Sequence, residues 1–508
     1  MVYTQTISAK SGDEIPVFAS GKPMHSKYNP QAERLPLPSG CAEAFFVVAG
    51  IGAGFHIRSL LAEIPHAAVI AFEDDEESLA FCRQFPVVRE LAEKDGTVWL
   101  CAKKDLGQRI IAHYAPGIFG DLFFVPQRAW EAENREICAE AKAIVTESLA
   151  CVSADYSVQS HFGKIWMRNI LLNLSAFSGN PPVRCDTSKT AAVIAAGPSL
   201  DRSAQELAES RGSYYIIATD TAYGSLLSRS ITPDAVVSVD GQHISTTHFF
   251  PCPQQNGNEG ASLFVFDICT NTEAVGLVRQ KGQQVYFTHS GHPLSRLAAE
   301  DAALPYLETG SGTVTIAACD FARLAGFRKI RLFGADFAYS SGKAYTRGTY
   351  LDAQFYARAS RTASAETAFT ALMYRAPVEP CPAQSPFSGT LSRPFSSTVL
   401  DGYKKTLLEW AERHQYTVRD GMLLKADAAD GGLPGPARPS FCYGDFMRRW
   451  IGALREIPED SLPVGNADAY ALLPYIAFLR KSRNLRKDTF FELFKLAYSH
   501  ASQYNRMI

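Results

Sequence analysis

Short, wholly apolar runs that each end in a turn bearing glycine or aspartate constrain this chain more than any other feature. They are AAVIAA (191–196), YYIIAT (214–219), AVVSV (235–239), LFVFD (263–267), QVYF (284–287) and KIRLFG (329–334). Continuous runs of this length are strands covered on both faces, as in parallel sheets flanked by helices. Helical stretches fall between them at about 200–211, 221–229 and 312–325. Such alternation predicts a doubly wound, mostly parallel sheet. A second series precedes it: AFFVVAG (44–50), the turn GIGAGFH, the helical stretch IRSLLAEI, AAVIAFE (67–73), TVWL (97–100) and DLFFV (121–125). That is a βαβ unit with a Rossmann-like first turn.

The rest of the chain sets the domain boundaries. Residues 1–40 are polar, with turn signals at Ser11-Gly12 and 36–40, and suit a small β-rich lead-in. Residues 127–178 carry apolar positions at three- and four-residue spacing up to Asn180-Pro181-Pro182, which predicts a helical connector. A helix is expected from Leu351 to about Arg375, a Pro/Ser-rich loop or lid at 377–398, a further helix at about 401–414, and a turn-rich stretch at 427–439. Residues 441–508 read as amphipathic helix, and their basic, aromatic end RKSRNLRKDTFFELFK fits either a solvated face with a packed stripe or a contact with an acidic partner. The expected fold is therefore α/β in four parts. A Rossmann-like domain with its lead-in spans 1–126, a connector 127–180, the central doubly wound domain 181–375, and a lid with a helical C-terminal domain 376–508.

Composition narrows the function. A chain of 508 residues suits about three domains. Fifty basic against 52 acidic residues, a net charge of −2, lack the electrostatic footprint of a nucleic-acid binder. No apolar run reaches about 18 residues, so no membrane insertion is expected. The opening MVYTQ has neither a basic region nor an apolar core, so no signal peptide is expected. The eleven cysteines form no C-x-x-C pair, which disfavours a zinc ribbon or a disulfide framework and points to reduced thiols in the cytoplasm.

Candidate chemistry sits at the ends of the apolar runs. Gly50, Gly52 and Gly54 permit a tight turn, and Glu73 lies where an acidic side chain can hold a ribose hydroxyl. The spacing G-x-G-x-G leaves open both a nucleotide or S-adenosylmethionine site and a purely structural turn. Gly197-Pro198-Ser199-Leu200 follows a strand and opens a helix, and Ser199 can cap that helix or face a phosphate. Asp220, Asp240 and Asp336 end three other runs. Converging on one rim they would bind ribose, hold a metal or act as bases; singly, each is a helix cap. Tyr339, Lys343 and Arg347 lie in a Gly-rich stretch suited to an anionic sugar or phosphate, or to an exposed loop. Gly310-Ser311-Gly312 is another phosphate-facing turn. His243 and His248 follow Asp240 and suit acid–base work or a polar surface. His289 and His292 lack an H-E-x-x-H context, and no metal is assigned. There is no P-loop, no G-x-S-x-G elbow and no D-x-D.

The order GPSL (197–200), T-D-x-A (219–222), I-x-P-D-x-V-x-S-V-D-x-Q (231–242), G-S-G-x-V (310–314) and G-x-D-F-A-Y-x-x-G-K-x-Y-x-x-G (334–348) resembles the motility accessory factor family of flagellin glycosyltransferases. The W-x-x-N-I-L-L-N-L connector (166–174) and the helical tail look similar too. The resemblance implies a central domain like that of 6-hydroxymethylpterin diphosphokinases and bacterial sialyltransferases. It also implies transfer of a nonulosonic acid, pseudaminic or legionaminic, from a CMP-activated donor to Ser or Thr of flagellin, with no other cofactor. Carried over by motif, Gly197, Ser199 and Asp220, with Pro198 and Leu200 in the same turn and Gly310 and Ser311 in the next, line the nucleotide site. Asp240, Gln242 and Asp336 lie near the reacting centre, and Tyr339, Lys343 and Arg347 hold the donor phosphate or carboxylate. Asp336 or His248 is the expected base. The stretch DGMLLKADAADGG (420–432) departs from the family's closing loop, on the acceptor side. Two other functions fit the same middle segment. One is Mg²⁺-dependent pyrophosphoryl transfer from ATP to a hydroxymethylpterin, and the other a flagellin-binding export chaperone without catalysis.

Overall fold

The computed structural model describes residues 2–37, 43–64, 66–94, 96–254, 261–309, 312–426, 433, 441–458, 462–482 and 489–505. The chain forms two units, one of residues 1–164 with 447–508 and the other of residues 165–446. This differs from the four-part division expected from sequence. The C-terminal helices belong to the first unit: the Phe490 N–H donates to Glu43 Oε2 (2.9 Å) and the Phe491 ring meets His66 edge-on. Amphipathic spacing reveals that a helix has a buried face, not which distant segment covers it.

In the first unit the hairpin β1 (Tyr3–Ser8) and β2 (Glu14–Phe18) leads into four parallel strands, β3 (Glu43–Ala49), β4 (His66–Glu73), β5 (Val98–Ala102) and β6 (Leu122–Pro126), in the order β5-β4-β3-β6. Strands β3 and β4 are buried almost end to end, as unbroken apolar runs require. The connector breaks at Asn134 into the helices Arg128–Glu133 and Arg135–Ser175, the second 41 residues long.

In the second unit the six apolar runs form β7 (Thr190–Ile194), β8 (Tyr214–Thr219), β9 (Ala235–Ser238), β10 (Leu263–Asp267), β11 (Gln284–Thr288) and β12 (Lys329–Phe333). They are parallel, in the order β11-β10-β9-β8-β7-β12. The chain winds outward from β7 through β11, then returns to place β12 on the opposite side of β7. Residues Met422–Leu424 add antiparallel to β12 and Thr417–Arg419 pair beyond them. This hairpin turns through Asp420-Gly421, both at positive φ, a strong hairpin signal not drawn from the sequence. The helix Val314–Leu324 buries Ile316, Ala317 and Phe321 in a core shared with β7, β8 and β9. Helices Thr272–Gln280 and Pro293–Ala302 also went unpredicted, and the single helix expected at 351–375 is two, Tyr350–Arg358 and Ala365–Met373. Its break falls where Ser364 caps the second helix. No helix among the described residues is long and apolar enough to cross a membrane.

Candidate active site

Strand order alone locates a site in the second unit. Connections leave β7 toward β8 on one side, and β12 occupies the other. The carboxyl ends of β7 and β12 therefore flank a crevice at a topological switch point, where open α/β sheets bind ligands. A cavity of about 330 Å³ lies there, lined by Gly197, Thr219, Thr221, Asp336, Tyr339, Tyr345, Arg375 and Tyr403 among others. The start of helix Val314–Leu324, capped by Thr313, and that of helix Thr398–Arg413, capped by Ser397, also line it. Helix N-termini favour anions. Arg375 is the cation among the described residues lining this crevice.

The Gly-Pro-Ser turn works differently from a helix cap. Ser199 has helical dihedrals and its side chain caps nothing. Instead its N–H donates to Asp336 Oδ2 (2.8 Å) and its hydroxyl donates to Asp336 Oδ1. The Gly197 N–H donates to the Gly334 carbonyl (2.8 Å), so the ends of β7 and β12 are clasped edge to edge. Burial pushes the Asp336 carboxyl above its ordinary range, against the pull of the two Ser199 donors. Pro198 and Leu200 are buried beneath the turn.

The three strand-end aspartates do not form one cluster. Asp220 is 2% exposed; its Oδ1 accepts from the Thr221 N–H (2.6 Å) and its Oδ2 from the Ser238 hydroxyl (2.7 Å), tying β8 to β9. Asp240 accepts from the Gln242 N–H (2.9 Å). Burial raises its pKa, the negative charge of Asp220 adds to this, and His248 opposes it. Burial raises the Tyr350 pKa and the charges of Asp220 and Asp240 add to the rise, so these groups form a second neighbourhood beside the crevice. Among the described residues, the groups spaced to hold a metal are His25, Glu33 and His56, and Glu308, Asp320 and His414; none of the three strand-end aspartates belongs to either.

The loop after Asp336 is already bonded. Lys343 Nζ lies 2.8 Å from Asp201 Oδ2, and the Arg347 N–H donates to the other oxygen of Asp201 (3.1 Å). Burial works against the charge of Asp201, but Lys343, Thr346 and Arg347 hold its carboxyl below the ordinary range. Tyr339 lines the crevice while its N–H donates to the Phe395 carbonyl (2.8 Å). Gln242 is exposed at the start of the turn His243–Phe249, and His243 pairs with Glu273 (2.8 Å). His248 meets the Tyr350 ring edge-on with centroids 4.5 Å apart. Gly310 and Ser311 lie outside the described residues, as do residues 427–432. Thr313, Arg375, Ser397 and Tyr403 were not singled out from the sequence. A Ser or Thr just before a helical stretch was the available signal for two of them.

The connector motif explains itself here. Asn169 Nδ2 donates to the carbonyls of Gly241 and Cys269, and Asn173 Nδ2 to those of Ile268 and Thr270. One turn apart on a helix, the two amides hold the loops that follow β9 and β10.

His292 provides a test of this region. Its Nδ1 accepts from the Leu294 N–H (3.2 Å), capping a helix, and its Nε2 is buried without a hydrogen-bond partner among the described residues. Burial pulls its pKa from 6.5 to about 3. The unfolded chain takes up the proton that the folded state resists. This stability is therefore full above pH 6.5 and falls toward pH 3, by about 1.4 kcal/mol per pH unit. His292→Asn keeps a cap acceptor and is expected to flatten the fall of the urea midpoint between pH 6.5 and about 4; equal slopes in the two proteins would refute the assignment.

In the first unit the Gly-rich turn is filled by the protein itself. A Cβ at Gly52 would lie 2.6 Å from His25 Nε2, and one at Gly50 2.7 Å from Trp130 Cβ. Glu73 is wholly buried and accepts from the N–H groups of Ile51 (2.6 Å) and Gly52 (3.1 Å), from the Tyr3 hydroxyl (2.8 Å) and from Trp130 Nε1 (2.9 Å). The Ala53 N–H donates to His25 Nε2 (2.9 Å), whose Nδ1 pairs with Glu33 (2.7 Å). The amides and carboxylate that would meet a nucleotide in a dinucleotide-binding turn bond to one another and to the lead-in. Of the two readings the sequence left open, the geometry favours the structural turn.

Comparisons with known proteins agree with this architecture. Residues 167–342 match the family model described as 6-hydroxymethylpterin diphosphokinase MptE-like. The solved structure of the Maf glycosyltransferase from Magnetospirillum magneticum AMB-1 superposes with a TM-score of 0.52 at 12% identity, covering 99% of this chain and 90% of that one. Two proteins of Treponema pallidum (strain Nichols), each described as uncharacterized, are 40% identical over 249 residues (48% of this chain, 76% of the relative) and 35% identical over 150 residues (29% and 71%). The fold is thus an α/β fold of the Maf glycosyltransferase type with an MptE-like middle segment. The chain belongs to one family with these treponemal relatives.

Proposed function

We propose that this protein transfers a nonulosonic acid from a CMP-activated donor to Ser or Thr of flagellin. The observation that carries this reading is the switch-point crevice between β7 and β12, set in a fold that matches a Maf glycosyltransferase over nearly its whole length. The two helix N-termini and Arg375 suit the donor phosphate. In the reaction the bond from the anomeric carbon to the phosphate oxygen breaks, and CMP leaves with the electron pair. The acceptor oxygen bonds to that carbon, and its proton passes to a base. Asp240 suits the base, since a carboxylate raised by burial works nearer neutral pH, whereas both oxygens of Asp336 accept from Ser199.

The match of residues 167–342 to the MptE-like model favours a second reading, Mg²⁺-dependent pyrophosphoryl transfer from ATP. Calorimetry with CMP, and with ATP plus Mg²⁺, separates the two. CMP is expected to bind the wild type and Asp240→Asn alike, while Asp240→Asn slows glycosylation of flagellin, followed by mass, by about 10²–10⁴-fold. ATP binding that requires Mg²⁺, with none for CMP, would replace glycosyl transfer by the second reading.

A further inference from the structure

Beside the crevice runs a second, larger groove of about 690 Å³, walled by Ile244, His248 and Phe250 on one side and Tyr350 and Ala353 on the other. We infer that this groove receives the acceptor polypeptide, seating an apolar side chain that flanks the hydroxyl to be modified; the inference rests on the glycosyl-transfer reading above. Three observations carry it. The first is continuity: Thr221 lines both the groove and the crevice, so a chain lying in the groove passes directly beside the donor site. The second is chemistry at that junction. His248 and Tyr350 both line the groove and their rings meet edge-on with centroids 4.5 Å apart, and Asp240, the carboxylate suited to take the acceptor proton, is close enough to feel the charge of His248.

The third observation is the surface itself. Phe250 is 66% exposed and Ile244 44%, both on one stretch of the groove wall. Large apolar side chains held together at a cleft, rather than scattered, mark a surface that a partner covers. The charged groups are few. Asp352 accepts from the Gly348 N–H (2.5 Å) and Arg358 stands on the helix Tyr350–Arg358. Among the described residues the groove therefore lacks the cationic cluster that a second nucleotide would need, while an open apolar trough suits an extended peptide.

The test pairs kinetics with cross-linking, using purified flagellin and a CMP-nonulosonate. Phe250→Asp and Ile244→Asp are exposed changes. Each is expected to raise the KM for flagellin by about tenfold or more while the KM for the donor moves by less than about twofold. In addition, p-benzoylphenylalanine replacing Phe250 is expected to cross-link flagellin, next to a modified Ser or Thr. An unchanged flagellin KM with no cross-link would overturn the groove assignment. So would thermal stabilisation by a fatty acid that leaves flagellin uncross-linked, which would assign the groove to a small apolar ligand. Cross-linking of flagellin from position 250, beside a wild type that neither hydrolyses nor transfers any CMP-nonulosonate, would overturn the transfer reading and keep the groove as a polypeptide surface.

Discussion

Alanine at Gly334 is expected to destabilise the central unit by roughly 3 kcal/mol and to abolish nucleotide binding. Gly334 has φ +64, and a Cβ there would overlap the Ala195 carbonyl oxygen and stand 3.2 Å from Leu200 Cβ. The partner glycine is equally confined: a Cβ at Gly197 would overlap the Gly334 carbonyl oxygen and lie 2.8 Å from Asp336 Cγ. The obstacles are backbone atoms at the ends of β7 and β12, which are hydrogen-bonded to each other and cannot swing aside as a flexible side chain would. The strand ends would have to part, opening the crevice and dragging Asp336 from Ser199. Gly402 is the control. It lies inside the helix Thr398–Arg413 with open space where a Cβ would go, so Gly402→Ala is expected to stabilise by about 0.5–1 kcal/mol. Urea midpoints of the two variants decide the matter. A Gly334→Ala protein as stable as the wild type would show that the strands approach less closely than the geometry describes.

These glycines also show what the sequence could and could not disclose. The apolar runs placed β7 to β12 within a residue or two, because a strand buried on both faces has nowhere to put a polar side chain. The Gly-Pro-Ser turn was legible as a site edge for the same reason. What Ser199 bonds to was not legible, because its partner Asp336 lies 137 residues away and the pairing exists only once β12 returns beside β7. The same holds for Lys343, which reads as a free cation in a loop and pairs with Asp201 in the fold. Asp220, Asp240 and Asp336 share a strand-end signature, but one links β8 to β9, one accepts from the Gln242 N–H in the loop after β9 and one clasps the Gly-Pro-Ser turn. Arg375 follows a short helix in a polar stretch and carries no local signal; only the return of that stretch to the crevice gives it a role.

Glu73→Leu is expected to be the most damaging substitution in the first unit, at about 4 kcal/mol or more, against about 1 kcal/mol for Tyr3→Phe. The substitution removes the acceptor of five buried donors: two turn amides, an indole N–H, the Cys82 thiol and the Tyr3 phenol, of which the phenol alone keeps a second partner, Met24 Sδ at 2.9 Å. Each unsatisfied donor costs about 1–3 kcal/mol, less than additively within one network. Tyr3→Phe removes a single donor and leaves the carboxylate four others. Burial raises the Glu73 pKa, and the donors that converge on the carboxyl pull against that rise. The same convergence leaves nothing to offer a ribose, since the carboxylate is spent and Met24, His25 and Trp130 crowd the glycines. NAD and S-adenosylmethionine are therefore expected to leave the melting temperature of the wild type unchanged. A rise with either ligand would mean that the lead-in can leave the turn, and that Glu73 exchanges its internal donors for those of a nucleotide.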